Sequence, residues 1–245
     1  MPAQTIQRTG RPRPSSAPRA ERGSPPLVEC ALSWSGGKDS ALTLWTLRLQ
    51  GVEPEALITT VTDAYDRISM HGVRRELLRR QADVVGIPLV EVRIPAACVN
   101  DVYEARMTEA FASAPLSSVE AVAFGDLFLE DVRAYRETRL SATGRRGLFP
   151  LWGRDTGALA REFIAAGFQA FIVCLDPRVL DASFAGRAYD EQLLADLPAS
   201  VDPCGENGEF HTFVHGGPIF SEPIACETGE VVQRDGFVFC DLTPA

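Results

Sequence analysis

Ser35, Gly36, Gly37, Lys38, Asp39 and Ser40 form a stretch whose residue types suit a polyphosphate. An apolar run at 27–32 precedes it and a helical pattern at 41–47 follows, so it reads as strand, tight turn, helix. The first N–H groups of such a helix have no intrahelical partner and carry the positive end of the helix dipole. Gly36 and Gly37 let the backbone approach an anion closely, Ser35 and Ser40 offer hydroxyls, and Lys38 adds a positive charge. Asp39 is the unexpected member, because a carboxylate beside a phosphate is repulsive unless a cation lies between them. It points either to Mg²⁺ or to a cap on the helix. A second dense stretch runs from Cys204 to Phe213 and holds Gly205, Glu206, Asn207, Gly208, Glu209, His211 and Thr212. Its carboxylates could bind a metal ion, orient an amine or act as bases. The alternative is a solvated turn that leads into an edge strand.

The elements around these stretches give them a place. Strand-like runs at 55–62, 88–94 and 119–124 alternate with helical patterns at 73–85, 101–111 and 129–143. That alternation predicts βαβ units and a parallel sheet, an α/β fold. Ligands of such sheets sit beyond the strand C-termini. The 35–40 turn, the 63–71 loop with Tyr65, Met70 and His71, and Gly125-Asp126 all fall on that edge. Past residue 127 the alternation weakens. A helix is predicted at 156–166, strands at 168–175, 210–214 and 218–224, and a hairpin over 231–239 turning at Asp235-Gly236. The expected division is a disordered basic tail at 1–26, an ATP-binding domain at 27–126 and a smaller mixed α/β substrate-binding domain at 127–245.

The spacing in 35–40 is not that of a Walker loop, since only the second glycine and the lysine are in place. The stretch resembles the PP-loop of ATP pyrophosphatases, which cleave ATP between its α- and β-phosphates. Together with Phe124-Gly125-Asp126, Pro150 to Asp155, Gly205 to Phe213 and Gly217 to Phe220, it resembles the diphthine–ammonia ligase (diphthamide synthase-type) family. The resemblance covers residues 27–225 in the family's order. It implies an adenine nucleotide alpha hydrolase-like fold and amidation of a carboxylate with ammonia, yielding AMP and pyrophosphate. In the family the acid is diphthine, a modified histidine of elongation factor two. Lys38, Asp39, Glu206 and Glu209 are then the expected catalytic residues, with Asp39 on Mg²⁺. Ser35 to Ser40, Gly125 and Asp126 would bind ATP, and Trp152, Arg154, Gly205, Asn207, His211 and Thr212 the acid. The family pattern is usually Gly-Glu-Gly-Gly-Glu-Tyr-Glu-Thr. Here Asn207, Phe210 and His211 replace Gly, Tyr and Glu. A histidine for an acid changes the local charge by about one unit, which leaves open an acid other than diphthine.

Bulk properties narrow the alternatives. The chain has 245 residues and a net charge of −9, while residues 1–26 carry five arginines against Glu21, so the body is acidic. An acidic body repels nucleic-acid backbones and counts against RNA modification. RNA thiolation would also call for paired catalytic cysteines, and none of the six cysteines forms a C-x-x-C pair. Cys30 and Cys174 read as core thiols, and Cys204 is the one cysteine beside a glycine-rich motif. No apolar run reaches the roughly 18 residues of a membrane helix, so a reduced, cytoplasmic protein is expected, with a homodimer left open. Nothing resembles a glutaminase, and Met1-Pro2 offers no N-terminal cysteine nucleophile, so ammonia itself is the expected nitrogen donor. A nucleotide-binding regulatory protein without turnover is the reading from another class.

Overall fold

The computed structural model describes residues 28–62, 67–68, 72–95 and 98–245. The N-terminal tail lies outside the described residues, as do Tyr65, Met70 and His71.

The first sheet contains β1 (Cys30–Ser33), β2 (Ala56–Thr62), β4 (Leu89–Ile94), β5 (Ala121–Ala123) and β6 (Arg146–Leu148), all parallel, in the order β4-β2-β1-β5-β6. A two-residue strand, β3 (Arg67–Ile68), runs antiparallel beside the end of β2. Four crossover helices join the parallel strands: α1 (Lys38–Leu49), α2 (Arg75–Val85), α3 (Asn100–Phe111) and α4 (Glu130–Ser141). Alternate residues of each strand face opposite sides of the sheet. Leu32, Leu57 and Ala123 join the core beneath α1 and α2, with Leu44, Leu77 and Leu78. Ala31, Ile58 and Val122 join a separate core with Phe111 and Leu140 from the α3 and α4 side. The chain builds outward from β1 to β4, then returns to place β5 on the other side of β1. The gap above β1 and β5 is thus a topological switch point, where such sheets bind ligands.

This sheet runs past residue 126, where the ATP-binding unit was expected to end. Arg146 pairs with Ala121 and Leu148 with Ala123, and α4 supplies the crossover that a parallel pair requires. Arg146-Gly147-Leu148 is too short and too mixed to carry a strand pattern, which is why the sequence conceals it.

The second sheet is antiparallel, ordered β8-β7-β10-β9 from β7 (Gln169–Leu175), β8 (Phe210–Gly216), β9 (Cys226–Arg234) and β10 (Phe237–Pro244). The helix α5 (Thr156–Ala165) precedes it, and a short α6 (Glu191–Asp196) lies between β7 and β8. Asp235 and Gly236 both adopt positive φ, 51° and 85°, as a two-residue hairpin turn of this kind demands. The strand predicted over 218–224 does not form. Pro218 and Pro223 have no N–H to give a ladder. The segment bonds across instead, with Ser221 N–H donating to Val84 O at 2.9 Å and Ile224 N–H to His215 O at 2.7 Å.

The two sheets share one core, because α1 lies between them. Residues 40–44 of α1 are all buried, so the helix has no solvent-facing stripe in that turn. Arg48 at its far end donates to Val85 O and Ile219 O, both at 3.0 Å. Asp241 of β10 receives Arg67 and Arg74 from the first unit. Gln81 of α2 closes the join. Its Nε2 donates to Gly36 O at 2.9 Å and Val214 O at 2.6 Å, and its Oε1 accepts from Trp34 Nε1 at 3.0 Å. Gln81 is fully buried. Gln81→Leu would leave the indole N–H of buried Trp34 without its acceptor, a loss of about 1–3 kcal/mol. Urea unfolding should show a lower midpoint by that amount; an unchanged midpoint would mean the join does not depend on Gln81.

Candidate active site

The turn between β1 and α1 is held from both sheets. Gly36 adopts φ +77°, and a Cβ there would lie 2.6 Å from Gln81 Oε1. Its carbonyl accepts from Val214 N–H at 2.9 Å. Gly37 takes the N-cap position of α1 in extended conformation and has no side chain to cap with. The cap arrives from β8: Thr212 Oγ1 accepts from Lys38 N–H at 3.0 Å. Ser35 Oγ accepts from Gly37 N–H at 3.2 Å, and Ser40 Oγ donates to Gly37 O at 2.9 Å. At Gly125 a Cβ would lie 2.9 Å from the Asp39 backbone, so glycine allows the loop after β5 to lie directly on the first turn of α1.

Lys38 is buried, and its Nζ meets Asp39 Oδ1 at 2.6 Å and Oδ2 at 2.8 Å. Burial works against the ammonium, but the adjacent carboxylate outweighs it and keeps the amine protonated, above the ordinary lysine range. Asp39 therefore does not cap the helix. Its side chain is about a third exposed and has the lysine bound to it.

The loop before β8 brings Glu206 to the same place. Its Oε1 accepts from Leu127 N–H at 2.7 Å and more weakly from Phe128 N–H at 3.4 Å. Burial pushes this carboxyl up to about 7, and the nearby Asp39 charge adds to the effect. Glu209 has a different position. Its Oε1 accepts from Asp202 N–H at 3.1 Å and Asn207 Nδ2 at 2.9 Å, and its Oε2 from Asn207 N–H at 2.9 Å. It organises the loop that presents Glu206. Gly205 adopts φ +69° in that loop, with Phe210 O only 2.7 Å from where a Cβ would stand.

Other predicted residues fall elsewhere. Asp126 forms an ion pair with Arg136 of α4 at 2.7 Å. Trp152 lies under the Arg133 guanidinium, and Arg154 pairs with Glu162. Thr212 holds the turn. Cys204 is buried and its thiol is pushed up to about 12 by burial, so it stays protonated. His211 lines a cavity of about 710 Å³ that starts at Ser33, Trp34 and Ser35. Burial, reinforced by Lys38, lowers its imidazole to about 4 and keeps it neutral. Gln81 was not singled out from the sequence. A glutamine on the apolar 77–85 helix face was the available signal.

The residues fit a Mg²⁺ that arrives with a nucleotide. Mg²⁺ commonly takes one or two carboxylates and completes its shell with phosphates and water. Asp39 is the carboxylate at the turn, and among the described residues no cluster of three or more ligands forms a dedicated cage.

The chain is similar to known proteins over most of its length. The family model for the diphthamide synthase N-terminal domain matches residues 28–146, and that for the diphthamide synthase C-terminal domain matches 155–242. The first match extends through the start of β6. A diphthine–ammonia ligase of Schizosaccharomyces pombe is 25% identical over 227 residues, covering 85% of this chain and 38% of that protein. This chain therefore spans well under half the length of that relative. The Homo sapiens diphthine–ammonia ligase is 26% identical, covering 85% of this chain and 86% of its own length. That of Danio rerio is 25% identical, covering 85% and 90%. Among the described residues no helix is long and apolar enough to cross a membrane.

The Glu206 carboxyl has a consequence for stability. Between pH 4.5 and about 7 the folded chain holds its proton more tightly than the unfolded chain does. The stabilising contribution of this group is therefore complete below pH 4.5 and declines as pH rises through that window. Glu206→Gln can still accept from Leu127 N–H but carries no charge. Its melting temperature relative to the native chain should be higher at pH 8 than at pH 4.5. Equal shifts at the two pH values would contradict a buried, ionisable Glu206.

Proposed function

The chain belongs to the diphthamide synthase family, and from that premise we propose that it is an ATP-dependent amide ligase. It activates a substrate carboxylate by adenylation and transfers the acyl group to ammonia, releasing AMP and pyrophosphate. The observation that carries this reading is the meeting of the two sequence motifs at one sheet edge. Thr212 of the second motif bonds to the first turn of α1, and Glu206 bonds to the loop after β5. Nucleotide binding alone would need only the turn.

A carboxylate oxygen has no viable leaving group, so the acid must first be activated. The substrate oxygen attacks the α-phosphate, the bond to the β-phosphate breaks, and pyrophosphate leaves from the first turn of α1. Lys38 and the helix N-terminus stabilise the charge that develops there. A bound Mg²⁺, held by Asp39, would supply further charge neutralisation on the phosphates. For Lys38 to serve the phosphates it must exchange part of its contact with Asp39 for them. Ammonia then attacks the acyl carbon and AMP leaves. The attacking nitrogen must lose a proton, and we assign Glu206 to accept it. The acid can be diphthine, as in the names of the relatives, or another carboxylate.

The turn's own contribution is positional and electrostatic. Lys38→Ala and Asp39→Ala should each lower turnover by about 10²–10³-fold. Purified protein would be incubated with α-labelled ATP, Mg²⁺, ammonium and a fractionated extract as the source of acid. Labelled AMP that depends on both ammonium and the extract supports the ligase. Labelled ADP, or near-normal turnover in both variants, would refute it. In the same assay ammonium should serve as nitrogen donor at least as well as glutamine; a strict preference for glutamine would contradict the use of free ammonia.

A further inference from the structure

The cavity of about 710 Å³ is within the range of small-molecule pockets, roughly 300–1,000 Å³. It begins beside the nucleotide turn at Ser35 and His211 and runs between α3 and α4 across the sheet face opposite α1. Tyr103, Met107 and Phe111 line it at successive turns of α3, so it extends over about 12 Å of helix. Its far end lies at Ala112, Thr143 and Arg145, where β6 begins, at the opposite edge of the sheet from the turn.

The charges along this wall contrast with the rest of the molecule. Arg136, Arg139 and Arg145 line the cavity against one acid, Glu104, in a chain of net charge −9. Arg139 pairs with Glu104, and Arg136 with Asp126 outside the lining. Arg145 has no carboxylate partner among the described residues. It donates to the carbonyls of Thr143, Phe111 and Leu116, lies over the Phe111 ring 4.6 Å from its centroid, and its Nε has no hydrogen-bond partner. At the near end His211 is neutral, where the resembling family pattern carries a glutamate. A low-dielectric cleft with an uncompensated cation focuses a field that favours anions.

We propose that this cavity is the pocket for the acid substrate, and that the acid is a free small molecule carrying a second anionic group. One carboxylate lies at the nucleotide turn and the second group lies at the Arg145 end, with an apolar middle against Met107 and Phe111. This rests on the ligase reading above.

The test is isothermal calorimetry on the full chain with succinate, adipate and suberate and with the matched monocarboxylates butyrate, hexanoate and octanoate, with and without AMP. The best-fitting dicarboxylate should bind at least tenfold more tightly than the monocarboxylate of equal length. Arg145→Gln should abolish that difference and leave AMP binding unchanged. Arg145 also ties three carbonyls, so Ala112→Glu provides the second variant: it places a negative charge at the same end from an exposed position and removes no hydrogen bond. Equal binding of di- and monocarboxylates, or no binding of either, overturns the proposal. A loss of AMP binding in these variants, with diacid binding intact, assigns the cavity to the nucleoside and also overturns it. The readout does not require turnover. Failure to form AMP in the labelled-ATP assay would sink the ligase reading, whereas diacids that do not bind an AMP-forming enzyme would sink only this assignment.

Discussion

The first turn of α1 is buried between two sheets, and every other feature of the site follows from that constraint. A buried helix start needs partners for its amides. Gly37 cannot supply a cap, so the second sheet provides one through Thr212. The carbonyl of Gly36 takes both Gln81 and the backbone of β8. The turn is thereby fixed before any ligand arrives, and a preorganised set of donors is what charge stabilisation requires. The same constraint brings the Glu206 loop, one strand entry away, onto the loop after β5.

Electrostatics at the turn follow from burial as well. Lys38 is a cation in an acidic protein and is nearly inaccessible, so it is held charged by the carboxylate next to it. That pair is self-sufficient without a nucleotide. A polyphosphate entering the turn competes with Asp39 for the ammonium, and a cation that relieves Asp39 makes the exchange easier. Among the described residues Glu206 has no cation bonded to it, and it relies on two backbone donors. Burial pushes both carboxyls up, and only Asp39 has an ammonium bonded to it that opposes the shift.

The parallel half of the fold was legible in the sequence because its strands are short apolar runs between amphipathic helices: β2, β4 and β5 lie within the predicted spans, and β1 runs one residue past its own. The nucleotide turn was legible because glycine, serine and lysine have strong local meanings at a strand–helix junction. What the sequence concealed is long-range. Nothing local in Arg146-Gly147-Leu148 says that it will pair with β5. Pro218 and Pro223 break a run that otherwise reads as strand. Glu206 and Glu209 look alike in sequence, and only the fold separates the one facing the turn from the one holding its own loop together. Asp126 follows Gly125 at the right edge, yet its carboxylate belongs to Arg136.

The first sheet also acts as a partition. The core under α1 and α2 and the core under α3 and α4 share no residue. The groups that fix the nucleotide turn, Gln81, Trp34 and Thr212, gather on the α1 side, whereas Tyr103, Met107 and Arg139 rise from helices on the other. Substitutions in those helices can reshape the cavity without removing any hydrogen bond that holds Gly36. A lineage can therefore drift in what it accepts while its phosphate-handling machinery stays fixed, and the two properties are free to evolve at different rates.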